Sequence, residues 1–152
     1  MNQSLKGACG VPLTDQENKQ LQLALLRFIA QYCEKHHLRY FLGDGTLLGA
    51  IRHKGYIPWD DDIDLRMPRP DYNKIIKSFN ANSNSNIYKL INPKYPEAQH
   101  HFIKIIDTRT IKIEPGLDYS LGFLGVDVDI FPFDGCPDDE PDFLKFAKDI
   151  TA

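Results

Sequence analysis

The sequence predicts an α+β (α/β-like) domain, with a mixed β-sheet flanked by helices. Three observations carry this expectation. Helical and strand-like stretches interleave along the chain, the pattern of a sheet packed against helices. Several strand-like stretches lie close enough for hairpins, which only antiparallel neighbours form. No internal repeat divides the chain.

The elements follow in order. Thr14-Asp15-Gln16-Glu17 fits a capping box, with Thr14 as N-cap and Glu17 reaching back to it. Leu21, Ala24, Leu25, Phe28, Ile29 and Tyr32 then recur at helical spacing, which predicts a helix over about 15–36. Leu38 to Leu42 is apolar and aromatic and reads as a buried strand ending at Gly43. Gly43-Asp44-Gly45-Thr46 reads as a tight turn, and Leu47 to His53 as a short helix stopped by Gly55. Asp60 to Met67 is the second strand. Pro68 and Pro70 flank the start of a helix over about 71–80. Asn80 to Asn86 is the low-complexity stretch and reads as a flexible surface loop. Further strands are expected at 87–91, 102–106, 110–114 and 124–131. An acidic loop from Asp134 and a terminal helix from Asp142 to Ile150 close the chain.

The 152 residues fit about one domain. With 42% apolar and 26% charged residues, the chain is neither disordered, collagen-like nor fibrous. No stretch approaches the ~18 consecutive apolar residues of a membrane span. The first residues lack the apolar core of a signal peptide. A cytoplasmic protein is expected, with room for peripheral contact at the inner face of the membrane. Cys9, Cys33 and Cys136 are odd in number and widely spaced. They suit reduced thiols better than a disulfide framework or a zinc site. The 18 basic residues against 21 acidic ones give a net charge of −3. Nucleic acid is therefore not an expected partner, since Arg52-His53-Lys54 is too short a basic stretch to grip a phosphate backbone.

The chemistry concentrates in Asp60-Asp61-Asp62-Ile63-Asp64, four carboxylates in five positions. On a strand, alternate side chains share a face, so Asp62 and Asp64 would point together while Ile63 and Leu65 enter the core. Two carboxylates about 7 Å apart along a strand can lean onto one cation. A hard divalent ion such as Mg²⁺ takes such oxygens and keeps positions for water or phosphate. An EF-hand is a poor match, because Leu65 stands where glycine is required and no glutamate closes the loop. Asp127-Val128-Asp129 is a second pair, and a strand placing Asp129 beside Asp62 and Asp64 would complete a three-carboxylate site. The Gly45-Thr46 turn precedes Asp62 by 16 residues. Glycines before a helix let backbone N–H groups approach a phosphate, and the Thr46 hydroxyl adds one hydrogen bond. Arg52 and Lys104 are candidates for phosphate contact. Trp59 would stack on a base or, as the favoured expectation, fill the core.

The order of these pieces is similar to that of nucleotidyltransferase-fold enzymes. The run from Tyr40 to Asp64, YFLGDGTLLGAIRHKGYIPWDDDID, resembles the signature block of the LicD family of phosphotransferases. Met67-Pro68-Arg69, Asp71-Tyr72, Lys104 to Thr110 and Val128 to Gly135 also resemble family segments, over roughly residues 15–137. The resemblance implies a nucleotidyltransferase-like fold. It implies transfer of a phospho-substituent, such as phosphorylcholine, from a CDP-activated donor to a hydroxyl of a glycan or glycolipid, in teichoic acid or lipopolysaccharide. It further implies that Asp62, Asp64 and Asp129 hold Mg²⁺ (or Mn²⁺), with Gly45 and Thr46 beside the donor phosphates. Family members continue past the Asp-Ile-Phe-Pro segment, so a chain ending at Ala152 is expected to lack the family's C-terminal part. Three alternatives stay open: a non-catalytic module that only binds the CDP donor, an Asp-x-Asp nucleotide-sugar glycosyltransferase, and a phosphatase built on Asp127.

Overall fold

In a computed structural model the described residues are 10–94, 100–116, 118, 120, 122, 124–136, 139–142 and 144. Helix α1 spans Asp15–Lys35, α2 Asp44–Arg52 and α3 Arg69–Asn82. Strand β1 spans Phe41–Leu42, β2 Asp64–Pro68, β3 Tyr88–Ile91, β4 Ile103–Asp107 and β5 Asp127–Phe133. The strands form one sheet in the order β1-β2-β5-β4-β3. β2 and β5 are parallel and the other neighbours antiparallel. The expected mixed α+β sheet is therefore what the chain forms.

Alternation sorts the sheet into two faces. Leu65, Met67, Ile103, Ile105, Val128 and Ile130 are all fully buried and join one core. Helices α1 and α3 cover that face through Leu25, Ile29, Ile75 and Phe79. Each such side chain contributes roughly 1.5–3 kcal/mol on burial. The two helices also meet directly: the Tyr32 and Phe79 rings lie 4.8 Å apart, and Tyr32 Oη is 2.8 Å from Ser78 Oγ. The residues between the core positions, Asp64, Arg66, Lys104, Asp127 and Asp129, therefore turn to the opposite face. The capping box of α1 is present as read, with Glu17 N–H donating to Thr14 Oγ1 and Thr14 N–H to Glu17 Oε2.

Several expectations need correction, among them the buried strand from Leu38, which is reduced to Phe41–Leu42 with Phe41 exposed, and the loop from Asn80, whose first residues belong to α3. The second strand starts at Asp64 rather than Asp60, because Asp60 N–H is spent in a turn onto Ile57 O at 2.9 Å. Asp62 therefore lies just before the strand, although the alternation of buried Ile63 and Leu65 with half-buried Asp62 and Asp64 continues through it. The Gly43–Thr46 turn is the start of α2, with Gly43 as N-cap. No strand forms at 110–114, where a lone bridge joins Lys112 to Leu124. There the Thr110 hydroxyl, not a backbone carbonyl, accepts the Val126 N–H at 2.7 Å, so the ladder cannot propagate. Trp59 is not in the core: it is 80% exposed. Most of the expected terminal helix lies outside the described residues.

Candidate active site

The open face of the sheet carries a row of charges set by strand register. Asp64 on β2 stands opposite Asp129 on β5, and Asp129 stands opposite Lys104 on β4. Three residues far apart in sequence thus become cross-strand neighbours. Lys104 Nζ donates to Asp129 Oδ1 at 2.6 Å, to Asp129 Oδ2 at 2.9 Å and to Asp127 Oδ2 at 2.7 Å. Lys112 Nζ reaches Asp127 Oδ1 at 2.9 Å and Glu114 Oε1 at 2.9 Å. The Asp129 N–H donates to Ile63 O at 2.9 Å, tying β5 to the end of the acidic run.

The run itself is pinned from three sides. Gln22 of α1 is buried and donates through Nε2 to Asp61 O at 2.9 Å, while its Oε1 accepts from the Tyr56 hydroxyl at 2.9 Å. Thr46 of α2 accepts the Asp64 N–H on Oγ1 at 2.9 Å. Gly45 packs so close to the Asp60 carboxylate that a Cβ would lie 2.5 Å from Oδ2. In this way Asp60, Asp61 and Asp62 bring one oxygen each within 4.8 Å of one another. Asp44, at the start of α2, takes a left-handed φ of 41° and is held by Arg66, whose Nη2 donates to its Oδ2 at 2.8 Å. The carboxylate that stood beside the phosphate turn is thereby paired.

Crowding of like charges shows in the titration. Burial first, then Asp64, Asp60 and Asp61, push Asp62 up to about 6. Burial and Asp44 raise Asp64 despite the cations Arg66 and Lys104. Burial likewise pushes Asp129 up to about 6, outweighing Lys104. For Lys104, burial favours the neutral amine, but Asp127 and Asp129 outweigh it and its pKa rises. Among the described residues, no lysine or arginine forms an ion pair with Asp60, Asp61, Asp62 or Asp64. An unpaired set of hard oxygens of this kind suits a divalent cation.

The sequence-derived residues fall in different places. Thr46 is bonded to Asp64, Asp64 stands in register with Asp129 and Gly45 lies against Asp60, but among the described residues the three carboxylates with oxygens within 4.8 Å of one another are Asp60, Asp61 and Asp62 rather than Asp62, Asp64 and Asp129. Lys104 is on the same face but buried, with its ammonium held between the Asp127 and Asp129 carboxylates. Arg52 ends α2, exposed, with Nε 3.4 Å from His53 Nδ1. Sequence reading missed Gln22, Arg66 and Lys112. A buried glutamine inside an amphipathic helix and a lysine in an irregular segment carry no motif; Arg66, alternating with Asp64 on β2, was in principle findable.

A mixed sheet with helices on one face, and strand-borne carboxylates beside a helix start on the other, is the architecture of a nucleotidyltransferase-like domain. Residues 37–144 match the family model described as LicD/FKTN/FKRP, nucleotidyltransferase domain, and the chain belongs to that family. It is 36% identical over 129 residues to the lipopolysaccharide cholinephosphotransferase LicD of Haemophilus influenzae, covering 84% of this chain and 47% of that one. It is 49% identical over 39 residues to the human ribitol 5-phosphate transferase FKRP, covering 26% of this chain and 8% of that one. An uncharacterised protein of Rickettsia typhi is 41% identical over 56 residues, or 36% of this chain and 18% of its own. The chain thus spans about half the length, or less, of these relatives. Among the described residues, no helix is long and apolar enough to cross a membrane.

Proposed function

We propose that the protein transfers a phospho-substituent, of the phosphorylcholine type, from a CDP-activated donor to a hydroxyl of a cell-surface glycan or glycolipid. Support comes from membership of the LicD family and from the names of two relatives, one a cholinephosphotransferase and one a ribitol 5-phosphate transferase. The observation that carries the reading is the carboxylate group at the junction of α2, β2 and β5: Asp64 and Asp129 in register, with Asp62 two residues before Asp64.

In this reading Asp62, Asp64 and Asp129 hold Mg²⁺, or Mn²⁺ in its place. The unpaired oxygens of Asp62 and Asp64 fit such an ion, and each Asp129 oxygen keeps a further lone pair beside its bond to Lys104. When bound, the cation supplies neutralisation of the charge on the donor's phosphates. The N–H groups of Gly45 and Thr46, at the start of α2, face the donor phosphate at the favourable end of the helix. The acceptor hydroxyl oxygen attacks phosphorus in line, the bond to CMP breaks, and the hydroxyl proton passes to a carboxylate. Asp129, in register with Asp64, is the candidate to take it. Arg52, exposed at the end of α2, is a candidate for contact with the donor's phosphates.

The test is CMP release from CDP-choline and CDP-ribitol, with UDP- and GDP-sugars as controls, with and without Mg²⁺. Release of CMP that depends on Mg²⁺ is expected, falling by roughly 10²-fold or more in Asp62→Asn and Asp64→Asn with the fold retained. Full activity in either variant sinks the metal assignment. Preference for UDP- or GDP-sugars turns the reading toward a glycosyltransferase, and CDP-donor binding without CMP release toward a binding module.

A further inference from the structure

The feature of the site that the proposed reaction does not use is Lys104. It is a lysine in the middle of a sheet, with its side chain 4% exposed. Its Nζ lies within hydrogen-bond reach of both Asp129 oxygens and of Asp127 Oδ2. The two Asp129 contacts share one carboxylate, so the ammonium is clasped between two carboxylates, and its burial keeps it from a substrate phosphate. The other Asp127 oxygen is taken by Lys112. The Asp127–Asp129 pair is therefore a two-carboxylate nest already filled by a tethered cation. Beside it, across the β2–β5 register, Asp64 and the neighbouring Asp62 form a second acidic nest that no described cation fills.

We propose that Lys104 takes the place of a second metal ion, so that the site holds one divalent cation, on the Asp62–Asp64 side. Enzymes that clamp a phosphoryl group between two metals place the ions about 3.5–4 Å apart, bridged by a shared carboxylate. Asp129 stands in the bridging position here, between the open nest and Lys104. A second ion on Asp127 and Asp129 would have to sit where Nζ sits, since metal–oxygen bonds of about 2.1 Å leave no room for an ammonium on the same oxygens. Lys104 is thus a positioning residue. It acts through Asp129, fixing that carboxylate and supplying one positive charge without being exchanged. The conclusion rests on the metal reading of Asp62 and Asp64 given above.

The test is a count of bound Mn²⁺ per folded chain, by equilibrium dialysis and electron paramagnetic resonance, using the metal alone. The wild type is expected to bind one ion. Lys104→Met, which keeps the stem and removes the charge, is expected to bind two, and the pair should show the spectral broadening of ions in close contact. Lys104→Arg, which keeps the charge, is expected to bind one. Two ions in the wild type, or one in a folded Lys104→Met, overturns the proposal. No ion in the wild type overturns the metal reading itself and this inference with it, whereas two overturns only this inference. Should Lys104→Met fail to fold by circular dichroism, the counts for the wild type and Lys104→Arg decide alone: one in each supports the proposal, and two in either overturns it.

Discussion

Gly45 shows how narrowly the site is built at the scale of one residue. It stands in the first turn of α2, and a methyl group there would meet the Asp60 carboxylate at 2.5 Å. The obstacle is the end of a side chain, so the chain can yield without unfolding. We expect Gly45→Ala to keep its melting temperature within a few degrees but to lose up to roughly 10²-fold in CMP release, because Asp60 must swing away and disturb Asp62. A steady-state assay beside a thermal melt checks this. Unchanged turnover would mean that the close approach of Gly45 to Asp60 has no part in the reaction. The same scale explains Asp44. Its left-handed backbone is uncommon for a residue other than glycine, though aspartate is among those that tolerate it, and the two-pronged contact with Arg66 holds it there.

At the scale of elements, α2 works as a bracket between the sheet and the loop that carries the acidic run. Gly43 N–H donates to Asp64 O at 2.9 Å, and Thr46 accepts from Asp64 N–H, so the start of the helix is fastened to the start of β2. Further along, Gly49 lets the helix lie against the returning chain: a Cβ there would stand 2.5 Å from Gly55 O and 3.1 Å from Ile57 N. Both are backbone atoms and cannot rotate away. Gly49→Ala is therefore expected to cost about 1–3 kcal/mol of stability in urea unfolding. It should also lower activity, because the displaced segment leads directly into Asp60–Asp62. A stability change below a few tenths of a kcal/mol would mean that α2 and the loop are loosely joined.

For the whole molecule, the charged sheet face sets how stability responds to pH. Asp62 and Asp129 titrate near 6 in the folded chain against an ordinary 3.8. Between those values the folded state binds more protons than the unfolded one, so stability falls as pH rises through that window. Asp71 and Asp107 work oppositely: their folded pKa values are lowered, by the Arg39 contact and, against the effect of burial, by the Arg109 contact, so their contribution is lost only as pH falls below the ordinary carboxyl range. His100, lowered by burial and Lys104, adds stability as pH rises and is common to wild type and variant. Urea titrations from pH 4.5 to 7 on wild type and Asp62→Asn isolate the Asp62 part. The difference should show the wild type losing stability relative to the variant as pH rises, and a flat difference would contradict the crowding of carboxylates described here.

Much of this was legible in the chain itself. The capping box, the helical spacing from Leu21 to Tyr32 and the alternation of Ile63, Leu65 and Met67 are local patterns, and local patterns determine which side of an element is apolar. The acidic run and the Gly-Thr segment were visible for the same reason, and their order pointed to the family. Local patterns do not state which strand lies beside which. That Asp64 faces Asp129 and that Lys104 faces Asp129, with its side chain reaching Asp127 as well, follows from sheet register, which joins residues up to 65 positions apart. The start of β2 at Asp64 was likewise decided from outside the segment, by the turn onto Ile57 and by the grip of Gln22 on Asp61. The sequence by itself thus determined the fold class, the core face and the presence of an acidic centre. Only the tertiary structure decided which carboxylates are already paired and which stand free, because pairing is a matter of distance between strands and not of order along the chain.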